Sequence, residues 1–280
     1  MALTKARYGK GRVRVLRLAR DGERHAVREL SLTVLLDGDF GAAWTQGDNR
    51  QVVATDSIKN IVNITAARHV EAETEAFVAH VAALFLERYA QVASVSIEAL
   101  ETRWLRRDVD GRPHAHTFTL DGNGQPFVRL VADRQGAVLQ SGLRGYTLMK
   151  TTQSGWEDFV DDEFRTLPDT GDRICATSMD ATWTWTTPPE DPVAANAAVL
   201  DTMIAEFATT YSAGVQDSMY RMGEAVLAAR PDIAEIGFAM PNKHYIPMNL
   251  AAFGIDHGGQ VFLPTDEPHG QIEATIGRAG

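Results

Sequence analysis

Cysteine is almost missing from this chain. Cys175 stands alone among 280 residues, so no internal disulfide can form and no multi-cysteine metal site can be built. Clustered positive charge is missing too. Lys and Arg number 27 against 37 Asp and Glu, a formal charge of -10, and no run of basic residues offsets it. Nucleic acid and anionic membrane surfaces are therefore poor partners. No segment approaches the ~18 consecutive apolar residues that a membrane-spanning helix needs. The opening stretch MALTKARYGKGR lacks the apolar centre of a signal peptide, and the closing TIGRAG carries no Ser-Lys-Leu address. A cytoplasmic protein is expected. Low-complexity segments are absent as well. What remains, 44% apolar and 23% charged residues with five tryptophans spread along the chain, has the balance of a folded globular protein. Its length allows two modest domains with a sizeable core.

Hydrophobic periodicity divides the chain into similar halves. Alternation at RVRVLRLAR and LSLTVLLDG, with Leu30, Leu32, Val34 and Leu36 on one face, predicts two adjacent antiparallel strands. Ile58, Ile61, Val62 and Thr65 fall at helical spacing, with Thr55, Asp56 and Ser57 as capping residues. A second helix is expected over about residues 71–90, then strands at Val95–Ala99 and in HAHTFTL. Turn-rich DGNGQP and DRQG bracket a domain boundary, placing the domains at 1–134 and 135–280. The second half reads strands near 138–151 and 173–186, two helices closed by Pro231, and final strands from Ile236, which PNKHY interrupts. The fold class is α+β, each domain an antiparallel four-stranded sheet with two helices on one face.

Several stretches can carry chemistry. In VATDSIKN, Thr55 sits where the chain enters a helix, so its hydroxyl and the first free N–H groups form an anion or carbonyl site, or else Thr55 and Asp56 simply cap the helix. PNKHY gathers an amide, a lysine and a histidine, and His244 suits general acid or base chemistry or a structural hydrogen bond. His114 and His116 share a strand face at a spacing that a metal could use, but no carboxylate or cysteine cluster accompanies them. Lys10 lies between Gly9 and Gly11, small neighbours that let a ligand approach, although a solvated lysine would look the same.

Taken together, YGKGRVRV, VATDSIKN, DGRPHAHTF, DRICATSMDATWTW, VQDSMYRM and MPNKHY resemble urate oxidase, the cofactor-free family of the tunnelling-fold superfamily, in order and spacing along nearly the whole chain. The resemblance implies oxidation of urate by O2 and water to 5-hydroxyisourate and hydrogen peroxide, with neither metal nor flavin. It implies a proton relay of Lys10 and Thr55 extended by His244, with Asn242 holding oxygen above the ring. Arg173 and Gln216 would grip the purine edge, with backbone N–H groups near Asp56 and Val215 completing its hydrogen bonds. It also implies a homotetramer whose tandem domains close into barrels, with pockets built across subunit boundaries. The chain departs from the family's stacking phenylalanine: SGWEDF puts Trp156 at that position, backed by Leu167, with Phe159 as the other choice. A guanidinium fork does suit the edge of a planar anion, and a partly buried amine can act as base. Two other readings fit the same chain: a pterin- or purine-processing relative of the superfamily, and a purine-binding protein without turnover.

Overall fold

The computed structural model describes residues 1–278 and falls into two compact units, Met1–Gly142 with Thr184–Val193, and Leu143–Trp183 with Ala194–Gly280. In the first unit the elements are β1 (Tyr8–Asp21), β2 (Arg24–Gly38), α1 (Gly41–Thr45), α2 (Thr55–Arg68), α3 (Thr74–Arg88), β3 (Val92–Thr102), β4 (Trp104–Val109), β5 (Arg112–Leu120) and β6 (Gln125–Asp133). Strands β1, β2, β3 and β6 lie in that order, and each adjacent pair is antiparallel. Alternation along β2 works as expected: Leu30, Leu32, Val34 and Leu36 are all at most 1% exposed. Burial of such side chains stabilises by roughly 1.5–3 kcal/mol each. Helix α2 packs on β1, and α3 packs on β3, β6 and α2. Phe77, Val78, Val81, Ala82 and Phe85 form the buried side of α3.

The second unit holds most of β7 (Ala137–Lys150), then β8 (Cys175–Trp185), α4 (Pro192–Thr209), α5 (Val215–Ala229), β9 (Ile233–Pro247) and β10 (Phe262–Gly277), with strand order β7-β8-β9-β10. Met179, Ala181 and Trp183 alternate inward from β8, and α5 packs on β9 and β10. Each four-stranded set with its helices is thus the expected α+β arrangement.

Three expectations about local structure are corrected. HAHTFTL does form a strand, but β5 pairs only with β4 in a separate two-stranded ribbon; the fourth sheet strand is β6, whose flanking turns disguise it. PNKHY does not interrupt its strand, because β9 runs on to Pro247 and the irregularity lies in β10 opposite. Thr55, Asp56 and Ser57 do not cap α2. Ala54 holds the cap position without a side-chain hydrogen bond, and Thr55 is already helical.

A device that composition does not reveal closes all four long helices. Carbonyls in the last turn or just after it, left without intrahelical donors, receive a cation from elsewhere in the same unit. Arg17 donates to His69 O and Ala72 O beyond α2, and Arg134 to Leu86 O and Tyr89 O at the end of α3. Lys150 serves Phe207 O and Thr210 O at α4, and Arg278 serves Leu227 O and Arg230 O at α5. Arg17 is only 3% exposed and lies over the Phe77 ring, and burial lowers its pKa to about 10.

Candidate functional site

Lys10 owes its setting to a break in the β1–β2 ladder. Lys10 faces Val34 and Val13 faces Leu32, so two residues of β1 occupy the space of one on β2. This bulge, with Arg12 at φ 54°, twists the strand and re-aims its side chains. Gly9 is needed for a reason other than ligand approach: a Cβ there would lie 1.8 Å from Val34 O. Gly11 is under no such constraint, its added Cβ meeting only Thr33 Oγ1 at 4.0 Å.

Helix α2 starts at Thr55 because Ile58, Ile61, Val62 and Thr65 give it one buried side. Thr55 and Asp56 stand exposed on its first turn, where the free N–H groups are. The Asp56 carboxylate accepts from Lys59 Nζ at 2.6 Å and Asn60 Nδ2 at 3.0 Å. The bond from Lys59, then the Lys59 charge and, more weakly, that of Lys10, hold the carboxyl below its usual range. Lys10 is therefore close enough to Asp56 for their charges to interact. The segment leading into α2 is tied to β1 by Tyr8, whose hydroxyl accepts from Val53 N–H at 2.7 Å and donates to Val53 O at 3.2 Å.

In the second unit the segment between β7 and β8 folds back on itself. Trp156 and Thr170 exchange backbone hydrogen bonds of 2.7 and 3.0 Å, and Arg173 N–H donates to Ser154 O at 2.7 Å. Arg173 Nε reaches Gly155 O at 3.3 Å, which leaves its guanidinium carbon 6.0 Å from the centre of the Trp156 ring system. Gly214 immediately precedes α5, and a Cβ built there would lie 2.9 Å from Trp156 Cζ3 and 3.2 Å from Gln216 Oε1. Trp156, Arg173 and Gln216 thus share one locality, with Val215 buried beneath. Phe159 lies nearly parallel to Trp156 at 5.5 Å and 19°. The Arg165 guanidinium is in turn 4.0 Å over Phe159, pinned by Asp169 and by a 2.9 Å bond to Leu167 O. Phe159 is already engaged by two planar neighbours. The Leu167 side chain is exposed, and only its carbonyl is seen to be held.

Asn242 and His244 lie half-buried on β9. Asn242 pairs with Gly270 and His244 with Thr265, so Lys243 alone stands against residues 266–269 of β10. Lys243 binds Asp266 at 3.2 Å. Asn242 Oδ1 is buried with no hydrogen-bond partner among the described residues, an acceptor whose burial without a donor is costly.

A family profile described as Uricase matches residues 6–131 and 139–273. The chain is 36% identical to the uricase of Aspergillus flavus, over 99% of this chain and 97% of the relative. The crystal structure of uricase from Arthrobacter globiformis superposes with a TM-score of 0.95 at 37% identity, covering 100% of this chain and 96% of that one. Urate oxidase from Bacillus sp. TB-90, at 23% identity, shares the fold with a TM-score of 0.86. The chain belongs to the uricase family.

Within this uricase frame, the histidine pair is not arranged as a ligand set. His114 and His116 meet edge to face at 4.7 Å, and His114 Nδ1 accepts the His116 backbone N–H. Among the described residues no three His, Cys, Asp or Glu are grouped to hold a metal ion, and no helix is long and apolar enough to cross a membrane. Sequence reasoning missed Tyr8, Gly214 and Arg165. Tyr8 precedes Lys10 by two residues, as Val53 precedes Thr55, and Gly214 directly precedes Val215 and Gln216. Those spacings were the available signals.

Proposed function

We propose that the chain oxidises urate with O2 and water to 5-hydroxyisourate and hydrogen peroxide. The observation that carries this reading is the match to uricases along essentially the whole chain, in sequence and in fold. Two electrons leave urate and reduce O2 to peroxide, while water supplies the hydroxyl of the product. In this reading the protein contributes binding, orientation and proton transfer, without a resident metal or flavin.

Lys10 is the base that receives the proton from the bound urate anion, the Thr55 hydroxyl between amine and substrate passes it across, and His244 extends the relay. The bulged strand and the exposed first turn of α2 support that pairing. Trp156 stacks on the ring, Arg173 and Gln216 hold its edge, and Leu167 backs the stack. The nearness of Arg173, Trp156 and Gln216 supports this set. The buried Asn242 Oδ1, an acceptor with no hydrogen-bond partner among the described residues, is suited to take a hydrogen bond from water above the ring, and the same amide is our candidate for holding O2 there. Backbone N–H groups at Asp56 and Val215, each in the first turn of a helix, suit an anionic ring.

Loss of urate absorbance with matching peroxide production, in chelator-treated buffer and with no flavin absorbance, tests the activity. Folded protein that consumes no urate would refute it. Lys10→Met should bind urate and turn over at least ~100-fold slower. The Lys10 group and the Arg173 group belong to different compact units, and in our reading each pocket joins one group from each of two chains of a homotetramer. Lys10→Met and Arg173→Ala chains, inactive alone, should regain activity when refolded together, with roughly one pocket in four intact for a two-fold interface. Hybrids without activity would place the pocket within one chain.

A further inference from the structure

We infer that Tyr8 is a positioning residue of the reaction, fixing the distance between the Lys10 amine and the Thr55 hydroxyl; this rests on the relay proposed above. The chain approaching α2 has no regular structure at Val53, although Val53 is buried. Its backbone N–H and C=O therefore need partners from outside the local chain. Both find the same one. The Tyr8 hydroxyl accepts from the N–H at 2.7 Å and donates to the C=O at 3.2 Å, which uses a phenol in both of its hydrogen-bonding capacities.

Spacing gives this cross-link its consequence. Tyr8 stands two residues before Lys10 on β1, and Val53 stands two residues before Thr55 at the start of α2. The hydroxyl therefore joins the two segments at equal, short chain distances from the two groups that exchange the proton. The side of the ring is held as well, because Phe40 meets it edge to face at 4.8 Å and 87°. Gly9, between Tyr8 and Lys10, lets β1 lie directly on Val34, and the bulge that follows turns the strand. A strand pressed on its neighbour at Gly9 and bonded to Val53 at Tyr8 has little freedom to move Lys10 away. Burial raises the Tyr8 pKa, keeping the phenol protonated to donate at neutral pH.

Tyr8→Phe keeps the ring and the Phe40 contact but deletes both bonds to Val53. A misplacement of 1 Å in a reacting pair can cost on the order of 100-fold in rate, and a partial one about 10-fold. Turnover should therefore fall about 10-fold, while Kd for urate, measured without oxygen, stays within ~2-fold. The double variant Tyr8→Phe/Lys10→Met should be no more than ~2-fold slower than Lys10→Met, since placing an absent base has no value. Unchanged kcat, a Kd raised in proportion to the loss, or a further ~10-fold loss in the double variant would overturn the inference. Should Tyr8→Phe not fold, Phe40→Leu, which frees the ring, should lower kcat about 3-fold at unchanged Kd, and a full kcat would overturn it. Near-normal turnover by Lys10→Met would instead bring down the relay itself. An impaired Lys10→Met beside a fully active Tyr8→Phe would bring down this inference alone.

Discussion

Gly214→Ala isolates one contact in the proposed binding wall. The backbone at Gly214 is extended, with φ 179°, so alanine adopts it without strain. The added methyl meets Trp156 Cζ3 at 2.9 Å, Cε3 at 3.2 Å and Gln216 Oε1 at 3.2 Å. Carbon atoms rest at roughly 3.5–4.0 Å, so the indole has to retreat by about 0.6–1 Å. The end of Gln216 can swing aside at little cost. Trp156 cannot move so easily, because its backbone is bonded on both sides to Thr170 and Phe159 lies against it, itself covered by Arg165. A side chain pushed off its rotamer costs about 0.5–1.5 kcal/mol, and the displaced face loses part of its stacking on the substrate. A total near 1–2 kcal/mol corresponds to ~5- to 30-fold weaker urate binding. The assay is Kd for urate without oxygen beside KM and kcat with it. Both binding constants should rise by that factor while kcat changes less. Unchanged Kd in a protein of normal melting temperature would refute the placement of Trp156 and Gln216 against the substrate.

Three other perturbations bear on the same reasoning. Arg173→Lys should raise KM about 10-fold despite conserving charge, because Nε is already committed to Gly155 O and only a guanidinium has two further nitrogens to offer a planar edge; calorimetry showing full affinity would refute it. Trp156→Ala should weaken urate binding by ~1–3 kcal/mol and Phe159→Ala by less, since Phe159 only backs the indole; the reverse order would make Phe159 the stacking residue. His80 lies stacked on His69 at 3.9 Å, and burial and then the His69 charge lower its pKa, so the unfolded chain takes up this proton first. Stability should fall as the pH drops through the unfolded value of ~6.5. Melting temperatures of His80→Gln should be flatter than those of the parent between about pH 7.5 and 5, and parallel curves would refute this.

Regular elements were legible in the sequence because burial imposes their periods. Strand β2 shows a period of two and α2 a spacing of three and four residues, and both follow from one buried side. The failures occurred where partners distant in sequence decide the outcome. Asp56 looked like a cap, but Lys59 and Asn60 lie within its reach once the helix forms and take both carboxylate oxygens. The proline in PNKHY looked like a break. Pro241 nevertheless keeps its place in the ladder opposite Gln271, and the irregularity falls in β10 opposite Lys243. Gly9 looked like room for a ligand, yet it answers to Val34, which lies on another strand. Among the candidate residues, Lys10, Thr55, Arg173 and His244 were visible as residue types in motifs. Tyr8, Gly214 and Arg165 were not, since their parts depend on what their atoms touch.

Those less visible residues explain why each candidate group needs so much of its unit behind it. An ammonium, a hydroxyl, a guanidinium and an amide are ordinary surface groups, and each would move freely on a simple strand or helix. Here the strand bearing Lys10 is bulged, pressed on Val34 and bonded to the segment before α2. The loop bearing Trp156 and Arg173 is closed by hydrogen bonds to Thr170, Ser154 and Gly155, and Gly214 permits the approach of α5 to the indole. If these groups hold urate as proposed, the conformational cost of ordering them is met during folding and not when substrate binds, which preserves binding energy for the reacting geometry. The same logic accounts for the placement of both groups at helix starts. Thr55 and Gln216 lie in the first turns of α2 and α5, where unpaired N–H groups favour an anion before any side chain contributes. A neutral analogue of the ring should therefore lose affinity even with Arg173 intact.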